Sequence, residues 1–474
     1  MILYRVMKVN PSIFRAYDIR GRYPEELSEE VVSYIARAYL KLYPHVKTLV
    51  LAYDTRPSSP LLAQAIRDVF VVSGKNVIDL GLAPDPLFYF TLLHNKYDGG
   101  IMVSGSHNIG SFNGLSMSVK RKGDDFAYDV IAKELDSIQD FVNKEEMITQ
   151  ASIPGKVEKR DATDEYMKYV SSRVYLERQL SVIIDSGNGA MGFLPEKIFE
   201  SLGCRVKTLY GEYDGTFPNH PPDPYQEENL KDLKEAVVKE GADIGLAYDA
   251  DGDRVAIIDN KGRVVSGDFA MLMLAYQAIK KHKGPVVHDV RVSKAFLDEM
   301  RKLKVSTYFS VSHHNAVIRK IEEVGAVFGG EITLHFIFPK EYYPVDDALF
   351  ASLKLAEIVS LKKDFAKYVD ALPHYQASPE LFIEVSDDVK FGLVSKLVIH
   401  LKKEGYSIID VDGARIQLKK GWALVRAANT SPHIKCRFEG DTKEDLEEIE
   451  REFLVLFKNF GVPITQEHYD ELGL

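Results

Sequence analysis

Three successive stretches of this chain repeat one plan: an apolar strand, a polar or glycine-rich loop, an amphipathic helix and a further strand. That alternation restricts the fold to α/β units with largely parallel sheets, because parallel strands need a crossover long enough to hold a helix. In the first stretch residues 48–53 read as a strand, and Ser59-Pro60 opens a helix that closes near Gly74. Serine at the N-cap, proline at the first helical position and glycine just past the end are the expected asymmetric signals. Strands follow at 76–80 and 100–103. The second stretch, 181–259, has strands at 181–184, 206–210 and 242–248. The third has strands near 285–289 and 305–309 and ends around Pro373.

The C-terminal part is built differently. Asp412-Gly413 between two apolar runs, 408–411 and 414–418, predicts a hairpin. Ile434, Cys436 and Phe438 alternate with Lys435, Arg437 and Glu439, the pattern of a half-buried strand. Thr442 to Asp445 predicts a capping box opening a helix with Leu446, Ile449, Phe453 and Leu456 on one face. The fold class expected is therefore α/β: three similar domains with mixed, largely parallel sheets, followed by a small α+β domain. Loops near 152–155, 260–262 and 373–379 place the domains at 1–152, 153–259, 260–373 and 374–474. A length of 474 residues agrees with that division.

Net charge of −10 argues against sequence-independent nucleic-acid binding as a main role. Cys204 and Cys436 are the only cysteines, too few for a disulfide framework or a thiolate zinc site, and read as buried and reduced. No apolar stretch is long enough to span a membrane, and Met1 to Asn10 lacks the long apolar core of a signal peptide. A cytoplasmic protein, with neither nucleic-acid nor membrane partner, is the expectation.

Asp249-Ala250-Asp251-Gly252-Asp253-Arg254 follows the apolar run 242–248. Three clustered carboxylates repel one another, and a bound hard cation offsets that cost; all-oxygen donors suit Mg²⁺. The glycine position and the lack of a distant closing Glu exclude an EF-hand. A solvated acidic turn is the plainer alternative, which the preceding strand disfavours. Ser104-Gly105-Ser106-His107-Asn108 likewise follows a strand, and Ser106 is placed to act as a nucleophile, though G-x-S-x-G is not matched. Serine beside a hard cation suggests phosphoryl chemistry. Asp185 to Gly192 contains G-x-G-x-x-G after a strand, with Glu212 further on, so a dehydrogenase is a rival reading. Nothing else in the chain calls for a nicotinamide, and the glycines are assigned to a tight strand-to-helix turn. Two loops, Phe14 to Gly21 and Arg426 to Pro432, collect Arg with hydroxyl and amide donors suited to phosphate, surface ion pairing being the alternative for each.

Taken together and in order, these segments resemble the α-D-phosphohexomutase family, in particular its phosphomannomutase/phosphoglucomutase branch. Phe14 to Gly21 is similar to the N-terminal signature, Ser104 to Asn108 to the phosphoserine loop, and Asp249 to Arg254 to the metal loop. Gly330-Glu331-Ile332-Thr333-Leu334-His335 resembles the sugar-specificity loop and Arg426 to Pro432 the phosphate loop; Asp214 to His220 is also shared. The resemblance implies four domains around a central cleft and exchange of phosphate between carbons 1 and 6 of a hexose (mannose, glucose or both). Ser106 carries the phosphoryl group in that scheme, and Mg²⁺ is held by Asp249, Asp251, Asp253 and the Ser106 phosphate. Glucose 1,6-bisphosphate or an equivalent acts as activator. Arg254 balances charge near Ser106; Glu331 and Thr333 hold sugar hydroxyls; Arg20, Arg426, Asn429 and Thr430 hold the distal phosphate, and Tyr17 binds substrate. His107, His313 and His335 are candidates for proton transfer or substrate contact. The partner is a hexose phosphate, and the chain is expected as a monomer or homodimer.

Departures from the family pattern fall inside the site. Asn113-Gly114-Leu115-Ser116 has serine where the family carries a lysine suited to acid/base work, a role typically worth about 10²–10⁴ in rate. Thr333-Leu334 replaces Ser-Gly, Ser310-Val311-Ser312-His313 lacks the usual basic residue and glycine, Ala428 replaces a serine, and Ala348 follows Asp346-Asp347 in place of glycine. Beside the mutase, these changes leave two alternatives: a different sugar substrate, or a diverged paralogue acting as a sugar-phosphate binder or slow phosphatase. Intact Ser106 and three metal carboxylates favour the mutase.

Overall fold

A computed structural model describes residues 9–15, 17–121, 127–143, 151–428 and 431–474. The chain forms two compact units: Met1–Ser266 with Thr333–Ile337 and Glu341–Val369, and Gly267–Ile332 with Phe338–Lys340 and Asp370–Leu474. Among the described residues no helix is long and apolar enough to cross a membrane.

The first unit holds two sheets. In the seven-stranded sheet Thr48–Tyr53 lies between Asn76–Leu82 and Gly99–Val103, parallel to both, as an α/β repeat requires. Gly99–Val103 then pairs antiparallel with Phe112–Lys120, which pairs in turn with Ile19–Arg22. One face of this sheet (Ile101, Val103, Leu115, Met117 and Val119) packs into an apolar cluster with the helices Glu29–Leu42 and Ser59–Val72. The helix Asp85–His94 covers the other face, approaching so closely that a Cβ on Gly100 would stand 2.6 Å from the Phe88 ring. In the five-stranded sheet Ser181–Asp185 lies between the parallel strands Arg205–Leu209 and Ile244–Tyr248, and Val255–Asp259 continues it antiparallel. The helix Ala348–Ser360 belongs to this unit and is buried along its whole length, its Lys354 being paired with Glu341 and Glu357. Tyr248 donates to Ser352 Oγ at 2.8 Å.

The second unit combines the parallel strands Thr307–Ser310, Val286–Asp289 and Phe328–Gly330 with a C-terminal antiparallel sheet of six strands. The expected hairpin forms, with Gly413 at φ +77° leading into Ala414–Leu418. His433–Gly440 differs from the half-buried strand expected, because Arg437 and Glu439 are buried as well. Arg437 Nη2 donates to Asp268 at 2.8 Å, and Glu439 accepts from Lys294 N and Trp422 Nε1 at 2.8 and 2.9 Å. Charged residues on the outer face of this strand thus become joints to the α/β part of the same unit. Arg415 makes the deepest joint. It is fully buried, its guanidinium stacks 3.8 Å from the Trp422 ring, and Nη1 donates to the carbonyls of Val290 and Val292 at 2.6 and 2.7 Å. Burial pulls its pKa down to about 9.

Two caps differ from expectation. Ser58, not Ser59, is the N-cap of Ser59–Val72, and the Ser59 hydroxyl is taken up by Asp54 Oδ1 at 2.5 Å. Thr442 caps its helix by accepting from Asp445 N at 3.1 Å, but the Asp445 carboxylate returns to the Thr442 hydroxyl and not to its backbone, so the capping box is half made. Cys204 and Cys436 are buried and free.

The glycine-rich segment after Ser181–Asp185 is a strand-to-helix turn, with Gly187 and Gly192 at φ +50° and +48°. It backs the acidic loop: Ala190 N donates to Ala250 O at 2.6 Å, and a Cβ on Gly189 would meet Ala250 O at 2.7 Å. Gly189→Ala is therefore expected to destabilise the protein by about 1–3 kcal/mol through overpacking against backbone. It should also weaken metal binding at the acidic loop. Urea unfolding and a metal titration of the variant check both.

Candidate active site

In the first unit the serine and acidic loops meet. Strand Gly99–Val103 ends at Ser104, whose hydroxyl lies 2.6 Å from Asp251 Oδ2 and 3.0 Å from Asp54 Oδ2. Ser104 Oγ also accepts from Ser106 N at 2.8 Å. Ser106 is only 3% exposed and adopts φ +46°, a left-handed conformation that costs a non-glycine residue about 1–3 kcal/mol. The strained turn delivers Ser106 Oγ to within 3.5 Å of Asp249 Oδ2 and 3.1 Å of His107 Nδ1.

Arg56 holds the turn from below. It is fully buried, pairs with Asp54, and donates from Nη2 to the carbonyls of Ser106 (2.7 Å) and Asn108. Asp54 also accepts from Gly105 N at 3.1 Å. Phe217 lies 5.1 Å from the Arg56 guanidinium, which gives the shared segment Asp214 to His220 a structural part in the site. Arg20 donates from Nη1 to Gly105 O at 2.7 Å while Nε pairs with Asp18 at 2.5 Å, so it lies at the serine loop. Tyr17 is half-buried in the same N-terminal segment.

Asp249, Asp251 and Asp253 are all buried, with carboxylate oxygens within 4.8 Å of one another. Asp249 Oδ1 accepts from Gly252 N and Arg254 N at 3.1 and 3.2 Å, which closes the loop. Gly252 meets the turn with φ +82°. Burial and then its acidic neighbours push Asp251 and Asp253 up to about 7, and Asp249 is raised for the same reasons. Asp251 Oδ1 and Asp253 Oδ1 have no hydrogen-bond donor. Orphaned, buried carboxylate oxygens with converging neighbours are what a hard cation completes, and the donor set fits Mg²⁺.

Arg254 reaches across this loop, 3.8 Å from both Asp249 and Asp253, and its Nε donates to His335 Nε2 at 3.0 Å. His335 Nδ1 stands 2.6 Å from Asp346 Oδ2, so the geometry assigns its proton to Nδ1 and its lone pair to Nε2. Leu334, at φ +79°, turns the chain between Thr333, half-buried, and His335.

The remaining residues expected at the site belong to the second unit. Glu331 is buried, 3.4 Å from Arg291 Nη2, and Arg291 Nε is itself bonded to Asp289 at 2.7 Å. Arg426 Nε and Ser312 N share Asp412 Oδ2 at 2.8 and 3.0 Å, which brings Arg426 beside His313. His313 caps the helix His314–Val324, with Nδ1 accepting from Asn315 N at 3.3 Å. Asn429 and Thr430 lie outside the described residues.

Sequence reading assigns no part to Asp54, Arg56 and Arg291, and names Ser104, Asp346 and Asp412 without giving them a contact. Asp54-Thr55-Arg56 does follow an apolar strand, as the serine and acidic loops do, and that strand-end position was the signal available.

Family models agree with this architecture throughout the chain. Those for the alpha/beta/alpha domains I, II and III of phosphoglucomutase/phosphomannomutase match residues 11–147, 164–262 and 266–375, and that for the C-terminal domain matches 361–455. A phosphomannomutase/phosphoglucomutase of Pseudomonas aeruginosa is 33% identical over 93% of this chain and 94% of its own. A phosphoglucomutase of Neisseria gonorrhoeae is 31% identical over 95% of this chain and 98% of its own. The crystal structure of a family protein from Burkholderia thailandensis superimposes with a TM-score of 0.88 at 29% identity, covering 97% of this chain and 99% of that one. The chain belongs to the phosphoglucomutase/phosphomannomutase family.

Removing Arg56 leaves Asp54 buried without its partner, so Arg56→Met is expected to cost about 3–5 kcal/mol. Asp54→Asn in the same background should recover part of that loss by removing the uncompensated charge. Denaturant midpoints of the two single variants and the double variant check this coupling.

Proposed function

We infer that the chain is a hexose-phosphate mutase, an isomerase that moves a phosphoryl group between the two ends of a hexose by way of Ser106. The observation that carries the reading is the meeting of Ser106 Oγ with the three-carboxylate loop, 3.5 Å from Asp249. Asp249, Asp251 and Asp253 would hold Mg²⁺, which supplies Lewis-acid neutralisation of charge on phosphate oxygens. Family membership, the buried acidic loop and the orphaned carboxylate oxygens support that assignment.

Phosphoserine 106 gives its phosphoryl group to the free hydroxyl of a hexose phosphate. The bond from phosphorus to Ser106 Oγ breaks, a bond to the sugar oxygen forms, and the proton that the sugar hydroxyl gives up is balanced by one taken up at Ser106 Oγ. The bisphosphate then reorients and returns its other phosphoryl group to Ser106 Oγ, reversing the proton movement. Glucose 1,6-bisphosphate serves as activator because it phosphorylates a chain that has lost its phosphate.

His107 is placed for the proton movement at Ser106 Oγ, with Nδ1 3.1 Å from that oxygen. Burial, then the charges of Arg254, Arg20, His335 and Arg56, hold it well below the ordinary histidine range, so it rests as neutral imidazole. Ser116 occupies the position of the family lysine and has no comparable basicity. Arg20 and Arg254 balance charge at the serine loop. Tyr17, Glu331, Thr333, His313, His335, Arg426, Asn429 and Thr430 take the sugar and the phosphate that is not reacting. Fixing that phosphate while the reacting end changes lets one arrangement serve both half-reactions.

Ser106→Ala should abolish interconversion of glucose or mannose 1- and 6-phosphates, since the phosphoryl carrier is gone. Intact-protein mass spectrometry after incubation with Mg²⁺ and glucose 1,6-bisphosphate should show one added phosphoryl group in the wild type, mapped to Ser106, and none in the variant. Turnover that survives the substitution would falsify the phosphoserine mechanism. Asp251→Asn should raise the Mg²⁺ concentration needed for half-maximal activity, read from a metal titration.

A further inference from the structure

The segment Asp214 to His220 lies against the serine turn and is fastened at both ends to the turn and strand end around Asp185. A Cβ on Gly215 would stand 2.3 Å from Thr55 O, and one on Gly110, in the serine loop, 2.7 Å from Gly215 O. Phe217, at φ +51° and 8% exposed, sets its ring 5.1 Å from the Arg56 guanidinium, whose Nη2 donates to the Ser106 carbonyl. At the start of the segment Asp214 N donates to Asn188 O at 3.1 Å, and near its end Asn219 Nδ2 donates to Asn188 Oδ1 at 2.7 Å. His220 makes the last tie. Its Nε2 stands 3.3 and 3.2 Å from the two carboxylate oxygens of Asp185, and its Nδ1 stands 2.8 Å from Pro221 O. Asn188 belongs to the glycine turn that backs Ala250, so the segment joins the backing of the acidic loop to the serine turn.

Both ring nitrogens of His220 therefore face acceptors. A neutral imidazole has one N–H to give, and donating to a carbonyl and a carboxylate together takes the imidazolium. Asp185 is fully buried and accepts from Gly187 N at 2.9 Å on Oδ1, so a cationic ring answers its charge. The Tyr210 ring meets His220 edge to face, with centroids 5.5 Å apart, and Tyr210 OH donates to Asp232 of the helix Lys231–Glu240. Burial pulls the His220 pKa down, but the hydrogen bond and charge of Asp185, the Pro221 carbonyl and the charge of Asp232 outweigh it and raise the value. The tie is thus complete below the ordinary histidine pKa of about 6.5 and is lost as pH rises through the raised folded value.

We propose that His220 is a positioning residue for phosphoryl transfer, an imidazolium that locks the 214–220 segment onto Asp185 and so holds Phe217 against Arg56 and the serine turn. It acts through Phe217 and Arg56, and it rests on the reading of Ser106 as the phosphoryl carrier. Deprotonation of the ring leaves Asp185 buried without its counter-charge and loosens the segment from the turn that Arg56 fixes.

Nitrogen-15 NMR of the histidine rings in the full-length chain, with His220 assigned by its loss in His220→Gln, reads the protonation state directly. Both ring nitrogens should carry protons at neutral pH and titrate above the ordinary histidine value. In a hexose-phosphate mutase assay the wild-type kcat should fall with the same titration while KM holds. His220→Gln should lose roughly 10- to 100-fold in kcat at neutral pH through misplacement of the serine turn, and should lack that alkaline limb. Phe217→Leu leaves the His220–Asp185 pair in place; its kcat should fall while the ring titration stays, and it decides the matter if circular dichroism shows His220→Gln unfolded. A His220 ring with a single proton at neutral pH overturns the proposal. Wild-type kcat in Phe217→Leu, or in a folded His220→Gln, overturns it too. A wild type that interconverts no hexose phosphate overturns the mutase reading and the positioning role with it. The NMR titration needs no turnover, so the two failures are told apart.

Discussion

Concentrated negative charge, taken out of water, is the constraint around which the first unit is organised. Asp54, Asp85, Asp249, Asp251, Asp253 and Asp346 are all buried. Buried carboxylates persist only where cations or hydrogen-bond donors answer them. Arg56 meets Asp54 from beneath the serine turn, Arg254 spans the acidic loop, and His335 meets Asp346. Two of these counter-charges also position a neighbouring group. Arg56 grips the carbonyls of Ser106 and Asn108, and Arg254 fixes the tautomer of His335. The matching is left incomplete at Asp251 and Asp253, whose Oδ1 atoms have no hydrogen-bond donor.

Rigid backing keeps that arrangement in place. Strands buried along their length, Gly99–Val103 and Ile244–Tyr248, deliver the serine and acidic loops to the same region. The glycine turn after Asp185 presses its backbone against Ala250, and Phe217 closes over Arg56. Parallel sheets of this type present their loops at strand C-termini, where ligands of open α/β folds bind. The second unit applies the same economy: Arg415 and Arg437 anchor the antiparallel sheet to backbone carbonyls of the α/β part, and Asp412 joins Arg426 to the turn before His313.

Much of this was legible in the sequence. Hydrophobic periodicity located the strands and helices, because burial of one face or both is a local property of the pattern. The positions of Ser106 and of Asp249, Asp251 and Asp253 were legible because polar residues clustered at the end of an apolar strand have few purely structural uses. The resemblance supplied the family and the order of its domains, and the family match agrees with both. The half-buried reading of 433–440 failed for Arg437 and Glu439, since alternation reports only that charges face away from one core. It cannot say that a second layer of the same unit waits on the other side.

The sequence by itself determined the α/β repeat, the C-terminal hairpin and the polar clusters at the strand ends before Ser104 and Asp249, since these depend on residues close together in the chain. Tertiary structure alone decided which distant charges meet. Arg56 lies 50 residues from Ser106 and Asp251 lies 147 from Ser104, yet both pairs are in hydrogen-bonding contact. It also buried Asp85 near the acidic loop, where burial and then neighbouring carboxylates push its pKa up. Charge matching is a property of three-dimensional neighbours, and no local pattern in the chain encodes it.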